Sequence, residues 1–294
     1  MASTSASAGG VREKALPEGT CHVIALAALK GGVGKTTCCQ GIAEGLTRRG
    51  YKVLAIDCDT QRNLTFSLAA DMSAPGTDSL LADGATLLAP ASEWVQHLST
   101  CDLIGSGGLT DAGFTLLEER AREMENDRAN GAYRLTEALD SLRPLYDFIL
   151  LDTGPNSDSV VTNAYVAADW ALVPTDVDAQ SALRTLNTID LLRGFSRRMN
   201  PRLKIAGVLV NMYAEDKCSR EHREAIMTEV ARRDAHVMRR AIRRANTVKW
   251  AHNAGVGIYE YVDAHRGAGR VDRDFDAVIE ELVAIVGAGK ETER

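Results

Sequence analysis

The sequence predicts a doubly wound α/β fold: one mainly parallel sheet with helices on both faces. Three observations carry that expectation. Apolar strand-like runs alternate along the chain with helical patterns, the order from which parallel sheets are built. Runs such as residues 23–28 and 148–151 are apolar at every position, as strands covered on both faces are. A glycine-rich loop joins the first run to a helix, at the place where such folds hold ligands.

Residues 1–19 are rich in Ser, Ala and Gly with mixed charge, and read as a flexible tail ahead of a single domain over 20–294. At 294 residues and 45% hydrophobic content, that domain can bury a substantial core. The candidate strands are 23–28, 53–56, 102–104, 148–151, 171–173 and 205–210.

After the first strand comes Lys30-Gly31-Gly32-Val33-Gly34-Lys35-Thr36-Thr37. Its glycines let the backbone curl until successive N–H groups point at one anion. Lys35 then places an ammonium on the outer phosphates of a nucleotide, and the Thr36 hydroxyl is placed to ligate Mg²⁺. The ordinary phosphate loop, G-x-x-x-x-G-K-[ST], needs glycine where Leu29 stands; here a second lysine, Lys30, opens the loop. Residues 36–49 continue as a helix that stops at Gly50, a natural left-handed terminator behind two arginines.

Strand 53–56 delivers Asp57, then Asp59, Gln61 and Asn63. Carboxylates at a strand's C-terminal end beside a phosphate loop hold Mg²⁺ or orient an attacking water. Asp57 is thus a metal candidate and Asp59 a catalytic one. Residues 66–100 are the least legible stretch, with Ala, Gly, Ser and Asp breaking short apolar runs. Strand 148–151 ends in Asp152, ahead of Thr153-Gly154-Pro155, and reads as a Walker-B-like strand whose carboxylate serves the metal. The last helix, 271–286, places Phe275, Val278, Ile279, Leu282 and Val286 on one face. Five of its six charged residues are acidic, which suits packing on the body and opposes docking on an anionic membrane.

Net charge is −6, so any nucleic-acid surface must be local. One segment qualifies. Residues 217–249 hold ten Lys/Arg against four acids, and Arg220, Arg240, Arg244 and Lys249 are its candidate phosphate contacts. The six cysteines include no C-x-x-C pair and read as reduced thiols. No apolar run approaches the ~18 residues of a membrane span, and no signal-peptide core is visible, so a soluble, cytoplasmic protein is expected.

The loop at 30–37, the stretch 57–63 and the strand at 146–155, in this order, resemble the ParA family of plasmid and chromosome partitioning ATPases. That family lies within the deviant-Walker-A group, with Min-type ATPases and the nitrogenase iron protein. Further matching stretches are 131–139, Asn163-Ala164, Ala167-Ala168-Asp169 and 207–213. The resemblance implies ATP and Mg²⁺ as cofactors, bound by Gly31, Gly32, Val33, Gly34, Lys35, Thr36 and Thr37. It implies that Lys30 reaches a partner's phosphates across an ATP-sandwich homodimer. A second lysine is difficult to justify within one subunit, because Lys35 already occupies the phosphates. Asp59 would serve the catalytic water, Asp152 the metal, and Asn211 the adenine.

The dimer would bind nonspecific DNA on the nucleoid and hydrolyse ATP when stimulated by a ParB-type centromere-binding partner. Alternatives that stay open are a ParA-like positioner of a protein cargo and, more remotely, a Min-type division-site regulator. No helix-turn-helix is visible, and about twenty preceding residues are too few to fold one, which disfavours operator binding. The bridging cysteines of an iron–sulfur reductase have no clear counterparts. Two departures stand out: the family's D-x-D-P-Q-G-N is Asp57-Cys58-Asp59-Thr60-Gln61-Arg62-Asn63, and D-x-P-P is Asp152-Thr153-Gly154-Pro155.

Overall fold

The computed structural model describes residues 20–82, 90–110, 115–127, 130–156, 158–265 and 269–288; the tail expected over 1–19 and the chain end at 289–294 lie outside them. Seven strands form one sheet: β1 (His22–Leu26), β2 (Val53–Cys58), β3 (Gln96–His97), β4 (Asp102–Ile104), β5 (Phe148–Thr153), β6 (Trp170–Thr175) and β7 (Lys204–Val210). Their order is β3-β4-β2-β5-β1-β6-β7. Every pairing is parallel except β3 with β4 at one edge. The helices are α1 (Lys35–Arg48), α2 (Asn63–Ser67), α3 (Thr77–Leu80), α4 (Leu116–Asn126), α5 (Arg134–Asp140), α6 (Ser159–Ala167), α7 (Ser181–Arg198), α8 (Lys217–Ala231), α9 (Asn246–Ala254), α10 (Ile258–Ala264) and α11 (Val271–Ala288).

Strand periodicity splits the core in two. Val23 and Ala25 point to one face, where they pack with Leu135, Val160 and Ile189 from α5, α6 and α7. Ile24 and Leu26 point to the other and meet Ile42, Ala251, Ile258 and Ile279 from α1, α9, α10 and α11. Both faces are covered, which is why the central strands are apolar throughout. Phe275, Val278, Ile279, Leu282 and Val286 of α11 are fully buried, so its apolar stripe is spent on the body. Among the described residues no helix is long and apolar enough to cross a membrane. All six cysteines are free thiols.

The strand boundaries differ from the reading in a way that matters for the site. β2 runs two residues past Ile56 and β5 two past Leu151, because both are pinned in register to the end: Asp57 faces Asp152 and Cys58 faces Thr153. β3, two residues within the illegible stretch, was not anticipated; a strand that short leaves no alternation to read. α1 stops as expected, with Gly50 at φ +87 and its N–H bonded to the Thr47 carbonyl.

Candidate nucleotide-binding site

The loop between β1 and α1 is organised around an unfilled helix end. Gly34 is the N-cap of α1, with φ +86, and no side chain caps the first turn. Helix N–H groups left this way, reinforced by the helix dipole, form an anion site. Glycine is required at 34 twice over: the left-handed backbone disfavours other residues, and an added Cβ would stand 2.2 Å from Asn211 Nδ2. Asn211, buried just beyond β7, donates that amide to the Val33 carbonyl at 2.9 Å. Asn211, for which the resemblance implies an adenine contact, thus also fastens the phosphate loop.

The two lysines behave differently. Lys35 is buried, its Nζ 3.3 Å from both the Ala28 and Lys30 carbonyls. Burial pulls its pKa down, against the pull of Asp152 and Asp59. Lys30 turns away, with its Nζ 2.5 Å from Asp176 and 2.8 Å from Asp178 in the turn after β6. Partial burial works against its charge, but these two bonds raise its pKa overall. In return Lys30, ahead of Gln180, Ser181 and Arg184, holds Asp178 well below the usual carboxylate range. The argument that a second lysine lacks employment within its own subunit is corrected by this pair.

Three carboxylates lie behind the loop. Asp57 is fully buried inside β2; it accepts from the Thr65 N–H at 2.8 Å, the Thr65 hydroxyl at 2.6 Å and the Asp59 N–H at 3.1 Å. Burial chiefly, with Asp59 adding, pushes its pKa up to about 6. The longer β2 draws Asp57 into the sheet opposite Asp152, and its oxygens organise the loop that follows. Asp152 is equally buried but makes no hydrogen bond of normal geometry. Burial and then Asp57 hold its pKa well above the usual range, while the Thr36 hydroxyl and Lys35 pull it down. An orphaned buried carboxylate beside a hydroxyl fits a hydrated divalent cation. Among the described residues no cluster of three metal-ligating side chains forms, so phosphate oxygens and water would complete a Mg²⁺ shell.

Asp59 is clamped by the Gln61 N–H (3.0 Å) and Asn63 Nδ2 (3.2 Å). The departure at Gly154 has a local cause, because a Cβ there would stand 3.1 Å from Asp59 Oδ1. Arg62, in the family's glycine position, keeps the left-handed backbone at φ 61, and its guanidinium donates to the Met72 carbonyl.

Gly31, Gly32, Gly34, Lys35, Thr36 and Asp59 line one cavity of about 400 Å³. Thr37 and Asn211 line a second of about 330 Å³ beside it. The basic segment makes a third of about 710 Å³, lined by Arg220, Arg223, Arg239, Arg240, Arg243 and Arg244. Arg240 and Arg243 both lie 2.5 Å from Asp274, which is 1% exposed. Despite burial, the Arg243 and Arg240 guanidiniums hold that carboxylate below its ordinary range. Arg223 lies over the Tyr213 ring at 5.7 Å. Three of the four expected DNA contacts are thus brought together; Lys249 lines the second cavity instead.

Sequence reasoning missed Thr65, Asp176, Asp178 and His252, which lines both the first and second cavities. The aspartates carried a usable signal: they follow strand 171–173 at its C-terminal end, where open α/β sheets place ligands.

A family profile described as an AAA domain matches residues 21–205. The chromosome partitioning protein ParA of Caulobacter vibrioides is 31% identical over 200 residues, covering 65% of this chain and 70% of that protein. The chromosome-partitioning ATPase Soj of Thermus thermophilus is 31% identical over 192 residues, covering 65% and 69%. Among solved structures, the Cyanothece McdA–ATP complex superposes with a TM-score of 0.74 at 23% identity, covering 89% of this chain and 96% of that one. The septum site-determining protein MinD of Pyrococcus horikoshii with Mg-ADP gives 0.69 at 20% identity, covering 92% and 98%. These two likenesses concern the fold. With the profile spanning well over half its length, the chain belongs to the ParA/MinD-type family of P-loop ATPases.

Proposed function

We propose that this protein is an ATP-dependent DNA-partitioning switch: ATP and Mg²⁺ assemble a homodimer that binds DNA without sequence preference, and a ParB-type partner triggers hydrolysis and release. The observation that carries this reading is one subunit with two separate cavities suited to anions, one at the glycine loop with buried Lys35 and one lined by arginines.

At the first site, the N–H groups at the start of α1 and Lys35 bind the phosphates. Thr36 and Asp152 would hold Mg²⁺, which neutralises phosphate charge when bound. Asp59, fixed by Gln61 and Asn63, is placed to orient the attacking water. Lys30 serves the partner's nucleotide after leaving Asp176 and Asp178, so the dimer forms only with ATP. At the second site, Arg220 and Arg244 meet the DNA backbone, and dimerisation sets two such faces on one duplex.

Fluorescence anisotropy of a random-sequence duplex tests the proposal, with Asp59→Ala used to hold the ATP state. Binding should appear with ATP, weaken with ADP and fall steeply with salt. Affinity indifferent to nucleotide, or none at all, defeats the DNA reading while leaving the ATPase assignment untouched.

A further inference from the structure

The phosphate cavity and its neighbour meet across the first turn of α1, since Thr36 lines one and Thr37 the other. His252 lines both. Its imidazole comes from the last turn of α9, which ends at Gly255 in the left-handed conformation. Two residues of α1 fasten the chain just beyond. Gln40 Nε2 donates to the Val256 carbonyl at 3.3 Å, and buried Glu44 accepts the N–H groups of Tyr259 (3.0 Å) and Glu260 (2.9 Å). His252 is therefore anchored to the helix whose N-terminus carries the phosphate loop.

Its Nε2 is shielded from solvent and has no hydrogen-bond partner. An unpaired buried nitrogen is unfavourable, a cost removed when a ligand brings an oxygen to it. Burial alone lowers the ring's pKa, with no carboxylate holding its charge. A nucleotide with phosphates in the first cavity and base in the second would pass its α-phosphate and ribose through the junction. That junction is where His252 lies.

We propose that His252 is a nucleotide-binding residue whose Nε2–H donates to an oxygen of the α-phosphate–ribose link. This role presupposes that the phosphate cavity holds ATP, and it extends the site to α9, a helix outside the 57–63 and 146–155 motifs.

The test uses Mg-ADP and the full chain. In histidine-labelled wild type, which has six histidines, the ring signal missing from His252→Gln should move on titration with Mg-ADP. His252→Phe, which keeps the bulk but loses the donor, should bind Mg-ADP about tenfold more weakly, the loss of one hydrogen bond of ~1.4 kcal/mol. His252→Gln, which restores an N–H, should recover most of that affinity. A His252 signal unmoved at saturation, or wild-type affinity in a folded His252→Phe, overturns the proposal. Should His252→Phe not fold, the wild-type signal still decides. Wild type that binds no nucleotide defeats the ATP-site reading and this role with it; normal binding with a silent His252 defeats this role alone.

Discussion

The nucleotide site and the arginine face treat their side chains in opposite ways. At the first, Lys35, Asp57, Asp59 and Asp152 are buried, and Asp57 and Asp59 each take fixed donors. At the second, Arg220, Arg240 and Arg244 are exposed, and only Arg240 of these three is ion-paired, through Asp274. The family profile ends at 205, before the arginine segment starts at 217. Reaction chemistry specifies atoms and so fixes residue identity. A polyanion is attracted by a sum of charge, which many arrangements of arginine supply.

That contrast is broken most forcefully at the phosphate loop. Lys35→Ala removes the buried ammonium and should weaken ATP more than about 100-fold, the scale of a lost buried charge partner. Asp59→Ala should bind ATP normally yet hydrolyse it about 100-fold more slowly or worse, because orienting water is not needed for binding. Nucleotide titration and phosphate release separate the two. Equal defects in both variants would mean that Asp59 serves binding and not the water.

Lys30 stands between the regions, since the work proposed for it is between subunits. On the Asp59→Ala background, Lys30→Ala should reduce ATP-induced dimerisation by at least about tenfold in light scattering, with little loss of monomeric nucleotide binding. Dimerisation equal to the parent would confine Lys30 to its bonds with Asp176 and Asp178.

On the arginine face, individual substitutions should matter less, except where an arginine has a second task. Arg220→Glu should weaken random-sequence DNA by roughly tenfold, lower the salt slope, and leave basal ATPase unchanged. Arg240→Glu should lower the melting temperature too, since it sets a carboxylate against buried Asp274. Arg244→Glu should disturb nucleotide as well as DNA, because Arg244 lines the second cavity. If all three behave alike, the face has no internal division of labour.

The same division explains what was legible beforehand. The parallel sheet and α1 follow from apolar runs and from Gly50, features written over neighbouring residues. Lys35, Thr36, Asp59 and Asp152 follow from spacing, since each lies within a few residues of a strand or glycine loop. Asp176 and Asp178 sit at a strand end that could have been read the same way, whereas His252 was illegible for the opposite reason: it reaches the site from a helix 222 residues beyond Lys30. The end of β2 was misplaced because the strand outlasts its apolar run, a boundary set by pairing with β5. The two-residue β3 has no pattern to read.

A smaller effect separates function from stability at Asp152. Its raised pKa means that the unfolded chain ionises this carboxyl before the folded one does. The site's contribution is thus fully present below the ordinary carboxylate pKa of about 4 and is lost as pH rises through the folded value. Metal-free Asp152→Asn should therefore melt about 2–5 °C above wild type near pH 7.5, with the gap closing toward pH 4.5. The same variant should lose Mg²⁺-dependent nucleotide binding. A melting temperature at or below wild type would show that the buried carboxylate has a stabilising partner.

The smallest expected change is at Arg62, where two opposing terms nearly cancel. Its left-handed backbone costs about 1 kcal/mol in a residue with a Cβ, and glycine would relieve it. Its guanidinium, buried and bonded to the Met72 carbonyl, contributes about 1.5 kcal/mol, which glycine would forfeit. Arg62→Gly should shift the melting temperature by no more than about 2 °C. Yet the bond ties the Asp59 loop to residues 71–73, so its loss should be local: amide hydrogen exchange in that stretch should accelerate while β2 and β5 stay protected. Unchanged exchange there would mean that backbone packing, and not Arg62, holds the segment against the site. A fall of more than about 5 °C would make Arg62 a global support, and the nucleotide loop would then depend on a residue that its motif assigns to glycine.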